Sequence, residues 1–253
     1  MNITLIVFLT ALGVGGATIT GSVCGFIFKG ISDKFSNIFM SFAAGVMLTA
    51  AINELVLTSL SMGGRFALLI TVIGVFSGAI CINLLDKLVP QLNKLAGFGD
   101  ISGIESLQVT KTLLLFAAIA IHNLPEGFAA GVGFGSGNIS DALTIAGGIA
   151  LQNIPEGMIV VAPMLKAGIS RKRTFFLAAS TGVIEIFGTL IGYFAVSIAS
   201  AILPFALAFA GGTMLYVTCN EMIPEIHSGE NEKTATYALL AGFCLMLVAD
   251  FYL

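Results

Sequence analysis

Two neighbouring apolar stretches, LLLFAAIAIHNLPEGFAAGVGFG at residues 113–135 and ALTIAGGIALQNIPEGMIVVAPML at 142–165, decide how this chain folds. Each exceeds the about 20 apolar residues needed to cross a bilayer, and each carries a polar cluster near its midpoint. The clusters repeat one pattern: His122-Asn-Leu-Pro-Glu-Gly127 and Gln152-Asn-Ile-Pro-Glu-Gly157. Only a short turn separates the two stretches, so the helices run antiparallel with the same motif at the same depth. That predicts a pseudo-two-fold axis in the membrane plane, the inverted-repeat arrangement of many transporters.

The rest of the chain has the same character. Over 253 residues it is 57% hydrophobic and 10% charged, with a mean hydropathy of +1.01. A soluble domain carries about 25% charged residues. A large interior does not explain the shortage, because a soluble exterior would still be polar; lipid asks for so little charge. The net charge of −3 leaves no nucleic-acid footprint. The four cysteines stand singly, so neither a disulfide framework nor a thiolate zinc site is signalled. The N-terminal stretch lacks a basic n-region and a small-residue cleavage site, and reads as a first helix rather than a signal peptide.

Divided at charged and turn-rich breaks, the chain gives eight spans, approximately 3–27, 37–59, 66–85, 112–135, 142–165, 174–198, 205–226 and 235–253. The fold expected is all-α, a polytopic membrane protein forming a single transmembrane transporter domain over 1–253, with one long loop at 86–111. Of the eleven Lys and Arg, ten fall on one side of such a bundle, from Lys29 and Lys34 to Lys233, against Arg65 alone. By the positive-inside rule that side is cytoplasmic and both termini face outward. Six or seven spans with one re-entrant segment is the alternative.

Ionisable groups at the bilayer centre cost about 2.5–3.5 kcal/mol each on insertion scales, so they mark functional sites by default. His122 and Glu126, four apart, share one helix face; Gln152 and Glu156 share one on the partner helix. Glu185 lies near the centre of the sixth span. Pro125 and Pro155 each remove a helix hydrogen bond and clash with the carbonyl four residues back, predicting a kink at the level of these groups. Gly127 and Gly157 permit close helix approach. Imidazole nitrogen with carboxylate oxygen suits zinc, iron, cobalt, nickel and manganese.

At these residues the chain resembles the ZIP family of zinc and iron transporters, in its prokaryotic GufA-like branch. The resemblance covers nearly the whole chain and implies a binuclear metal centre between helices four and five. Carried over position by position, the implied ligands are His122, Asn123 and Glu126, then Gln152, Asn153 and Glu156, with Glu185 from the sixth helix and Met47 from the second. Asn220 and Glu221, in YVTCNEMIPEIH, would line the cytoplasmic exit. Gln152 stands where many members have His, and the 86–111 loop lacks the histidines many eukaryotic members carry there.

The function expected is uptake of divalent transition metals, zinc foremost and iron, manganese or cadmium besides, by alternating access around this midplane site. Zinc would be cargo and not a cofactor. Glu54 is placed at an entrance or snorkelling to the outer interface, and Glu225 and His227 near the exit. Partners are metal ions and lipid, with a homodimer compatible and nucleic acid excluded. The location expected is a prokaryotic cytoplasmic membrane. Alternatives are a passive metal channel, a proton- or sodium-coupled antiporter, and an intramembrane metal-dependent hydrolase. The last is disfavoured because the usual His-Glu-x-x-His is absent, leaving Asn123 where the general base would stand.

Overall fold

The structure, a computed structural model, describes residues 2–27, 33–62, 64–95, 120, 123–166, 168–198, 200–227 and 232–252. Every regular element among them is helical. The rods are α1 (Ile3–Ile27) and α2 (Asp33–Thr49, continued by π-helical turns at Ala50–Leu57 and by Thr58–Met62). Next come α3 (Ala67–Leu95), α4 (123–133, closing in a 3-10 turn at Phe134–Ser136), α5 (Ile139–Lys166) and α6 (Arg171–Ile198). They are followed by α7 (Leu203–Val217, π-helical at Thr218–Met222, then Ile223–Ile226) and α8 (Glu232–Tyr252). Six of these, all but α4 and α5, contain a stretch long and apolar enough to cross a membrane. The N-terminal half of the expected 112–135 span lies outside the described residues.

Local chemistry sets the ends. Asn138 caps α5, its Oδ1 accepting from Ser140 N at 3.0 Å, and Ser170 caps α6, accepting from Arg173 N at 3.4 Å. Gly168, at φ +80°, takes the left-handed conformation that lets Ile169 N reach Met164 O and Gly168 N reach Leu165 O, closing α5. One boundary departs from expectation. The loop assigned to begin at residue 86 is still helix to Leu95, because Leu85, Leu88, Leu92 and Leu95 keep a helical apolar spacing beyond the span. Pro155 likewise does not interrupt α5, which runs unbroken from Ile139 to Lys166.

The distribution of side chains is that of a membrane protein. Buried positions are mostly small or hydroxylated, among them Ala43, Ala44, Ala129, Ala130, Thr181 and Thr213, while Phe8, Leu68, Phe76, Phe187 and Phe251 face outward. Without a hydrophobic drive between helices in lipid, association depends on close contact, which small residues allow.

Glycines sort the rods into two groups. Within α1, α4, α5 and α6 the contacts are backbone to backbone. A Cβ on Gly15 would lie 2.1 Å from Gly182 O, and one on Gly182 would lie 2.3 Å from Gly15 O. Within α2, α3, α7 and α8 the equivalent seams are Gly45 on Leu239, Gly242 on Phe42, Gly78 on Phe209 and Gly212 on Val75. The groups meet where α2 packs on α5, and where Phe128 of α4 meets Phe209 of α7. The first of these contacts shows the difference. There Gly148 faces side chains alone, the flexible end of Met246 from α8 and, farther off, Val46 of α2. Each group is therefore zipped by backbone contact, and the seam between them is made by side chains.

Substitution should follow this map. Gly182→Ala is expected to destabilise by about 1–3 kcal/mol, the usual cost of overpacking. Gly16→Ala, whose added Cβ meets nothing within 4 Å, should be neutral or slightly stabilising. Unfolding temperatures of the two variants in detergent separate the outcomes; equal shifts would remove the seam as the source of cohesion.

Candidate metal centre

The two repeated motifs place their glycines on two particular residues. A Cβ on Gly127 of α4 would lie 2.2 Å from Glu185 O on α6, and one on Gly157 of α5 would lie 2.2 Å from Thr18 O on α1. Those two residues then bond to each other: Thr18 Oγ1 donates to Glu185 Oε1 at 2.7 Å. Close approach by glycine thus delivers a hydroxyl and a carboxylate to the level of both motifs.

Glu185 is the hub of the polar cluster. Its Oε1 also accepts Nδ2 of Asn123, and its Oε2 accepts Nδ2 of Asn153 at 2.5 Å. Asn153 Nδ2 lies as well 3.3 Å from Val14 O. Beside this, Gln152 Nε2 donates to Glu126 Oε1 at 3.1 Å. A carboxylate only accepts, so each amide must turn its nitrogen toward the glutamate and its oxygen away. Thr18, Asn123, Glu126, Gln152, Asn153 and Glu185 are all at most 1% exposed.

The oxygens turned away are left over. Asn123 Oδ1, Glu126 Oε2, Gln152 Oε1 and Asn153 Oδ1 are buried without a hydrogen-bond partner. A buried acceptor without a donor costs about 1–3 kcal/mol. Every orphan is an oxygen acceptor, so the deficit is one of positive charge or of protons. A divalent cation supplies it, and two asparagine oxygens, a glutamine oxygen and a carboxylate oxygen fit such an ion by donor type. Glu156 is half-buried and is the acidic neighbour of both Glu126 and Glu185.

Of the residues singled out from sequence, Asn123, Glu126, Gln152, Asn153 and Glu185 come together, all within the α1, α4, α5, α6 group. His122 lies outside the described residues. Among those described, no three His, Cys, Asp or Glu stand close enough to hold a metal by themselves. Met47 belongs to the opposite group, on α2, buried in an apolar cluster with Val46, Ala50, Ile149 and Met214. Asn220 and Glu221 sit on the π-helical turns of α7, with Glu225 just beyond them. His227 hydrogen-bonds Ile223 O and Thr236 Oγ1. Glu54 is on the π-helical turns of α2. The residue missed from sequence is Thr18. Its signal was a hydroxyl in the small-residue run GVGGATITGS, which reads equally well as helix packing.

Known proteins are similar to this chain in sequence. Residues 99–250 match the family described as ZIP Zinc transporter. The chain is 42% identical over 187 residues to the zinc transporter GufA of Myxococcus xanthus, covering 74% of this chain and 72% of that protein. It is 34% identical over 259 residues to the zinc transporter ZupT of Chlorobaculum parvum, covering 97% and 96%. To the zinc transporter ZIP11 of Xenopus tropicalis it is 30% identical over 313 residues, covering 93% of each.

Thr18→Val leaves Glu185 one donor short and should cost about 1–3 kcal/mol, read as a lower unfolding temperature, whereas Thr18→Ser should hold the wild-type value. Equal values for all three proteins would show that Glu185 does not depend on this hydroxyl.

Proposed function

The chain belongs to the ZIP family of zinc transporters, and from that membership we propose that it carries divalent transition-metal ions, zinc foremost, across a membrane by alternating access. It acts as a transporter and not as an enzyme. The observation that carries this reading is the set of four orphaned oxygens on α4 and α5, two on amides held by Glu185 and two on the Gln152–Glu126 pair, all closed off from solvent. His122 and Glu156 complete the ligand set in this reading, with a second ion held between carboxylates. Met47 adds a thioether from the facing group.

The division of the bundle supports a carrier. Among the described residues, all the central ligands except Met47 ride on one glycine-zipped group, so that group can move as a body against α2, α3, α7 and α8. A standing pore would leave its ligands wetted, whereas Asn123, Glu126, Gln152, Asn153 and Glu185 are at most 1% exposed. The paired seating of Gly127 on Glu185 and Gly157 on Thr18, about the reciprocal Gly15–Gly182 contact, is what an inverted repeat produces.

The membrane arrangement proposed is eight spans, with α4 and α5 completing the six apolar ones. At 28 residues α5 is about 42 Å long, enough for a hydrocarbon core of about 30 Å. Both termini face outward from a prokaryotic cytoplasmic membrane. An inward-negative potential favours entry of a divalent cation by about 4.6 kcal/mol per 100 mV, so uptake is the direction, with Asn220, Glu221 and Glu225 on the exit side.

Zinc uptake into proteoliposomes tests this. Wild type should show saturable uptake, and Glu126→Ala and His122→Ala should each lower it roughly tenfold or more while remaining folded. Wild-type flux untouched by either change would sink the site assignment, and linear, non-saturating flux would favour a channel.

A further inference from the structure

One turn along α5 from the contact between Gly148 and Met246, the seam between the two groups opens into a groove of about 410 Å³. Its walls come from both groups. Leu151 and Pro155 of α5 form one side, and Phe39 and Phe42 of α2 with Ala238 and Ala241 of α8 form the other. Among the described residues no polar side chain lines it. Phe39 and Leu151, 40% and 39% exposed, stand at its rim, so it opens on the outer surface of the bundle. The α5 wall is the reverse face of the helix that buries Gln152 and Asn153 in the centre.

Size and lining restrict what can fill this groove. Packed interiors leave few voids larger than a water molecule, whereas this volume falls in the range of ligand pockets, about 300–1,000 Å³. Water is not held here, because an ordered water needs about two to four polar partners. Nor does a helix of a second copy fit. The α5 wall runs from Leu151 to Met158, which is about 10 Å of helix, so the groove averages roughly 7 Å across. An α-helix with its side chains is about 10–12 Å wide. A linear hydrocarbon tail enters such a slot, and tails are the medium around the outer surface of a membrane-spanning bundle.

The charge at one end of the groove supplies the rest. Lys34 lies one turn before Ile38, a lining residue, on the same face of α2. That is the end of the bundle where α2 and α8 begin and α5 stops. Lys34 is exposed, and among the described residues no carboxylate pairs with it. From Lys34 to Phe42 is about 12 Å along α2, inside the about 15 Å that one leaflet gives to the hydrocarbon core. Tyr237, beside Ala238 and 74% exposed, is the kind of aromatic residue that sits at headgroup level. We propose that the groove binds an anionic phospholipid, with an acyl chain seated between the two groups and the phosphate beside Lys34. A lipid held there touches α5 on one side and α2 and α8 on the other, so a shift of one group against the other must move or release it. The site requires no transported ion and stands independently of the transport reading.

The test is native mass spectrometry of the purified, delipidated full-length protein, titrated with phosphatidylglycerol and with phosphatidylcholine of the same tails. Wild type should take up one tightly held phosphatidylglycerol per chain and prefer it to phosphatidylcholine. Ala241→Leu, which adds bulk at an exposed lining position, should weaken both lipids roughly tenfold. Lys34→Gln should weaken phosphatidylglycerol alone, by roughly threefold to tenfold. Lys172→Gln, which removes an equal charge from α6, should leave both affinities unchanged. Equal lipid affinity in wild type and Ala241→Leu, at matched unfolding temperatures, overturns the proposal. Equal effects of Lys34→Gln and Lys172→Gln overturn it too, since a general surface layer of lipid behaves that way. A shift from dimer to monomer in Ala241→Leu with lipid affinity held would assign the groove to a second copy instead. Should Ala241→Leu not fold, the two lysine variants, both at exposed positions near helix starts, carry the test between them.

Discussion

A carboxylate without water must be given donors by the protein, and Glu185 is given three: a threonine hydroxyl from α1 and one amide each from α4 and α5. Much of the centre derives from that obligation. Spending the two amide nitrogens on Glu185 fixes the direction of the two amide oxygens. With Gln152 doing the same for Glu126, the oxygens of three amides and one carboxylate are left facing inward. Neutral amides serve this better than further carboxylates would, since each both satisfies an acceptor on one side and offers a lone pair on the other. Glu185 thus acts here as the group that aims these oxygens.

That arrangement needs backbones closer than ordinary side chains allow. The glycine ending each motif supplies the approach, one against the carbonyl of Glu185 and the other against the carbonyl of Thr18. The motif is therefore two devices in one six-residue frame. Its Asn and Glu provide oxygens, and its Gly seats the helix against the residue that orients them. The same close packing that builds the site also makes its four helices one body, while side-chain contacts with α2 and α8 leave a seam that can shift. Construction of the site and freedom to move it come from one choice of residue size.

The two π-helical stretches show a different use of the backbone. They carry Asn53 and Glu54 on α2, and Asn220 and Glu221 on α7. An α-helix presents polar groups only at its own spacing; a widened turn shifts the register and re-aims a side chain without breaking the rod. Both stretches lie toward the ends of helices in the group that does not hold the centre.

The sequence by itself determined the membrane class, the helical fold, the two repeated motifs and most of the residues at the centre. Composition, apolar run length and carboxylates at mid-span are local properties that no packing can hide. Tertiary structure alone decided that Glu185 is an acceptor hub, that Thr18 joins it, and that Met47 sits across a seam in an apolar cluster. These depend on which helix face meets which, and a hydroxyl in a run of glycines reads the same whether it packs or donates. The helix past residue 85 was missed because Pro90, the glycines at 97, 99 and 103 and the polarity of that stretch outweighed an apolar spacing of three and four. The bond from Asn53 to Asp250, far apart along the chain, belongs to tertiary structure for the same reason: sequence shows a polar residue within an apolar span, and only the fold shows what it faces.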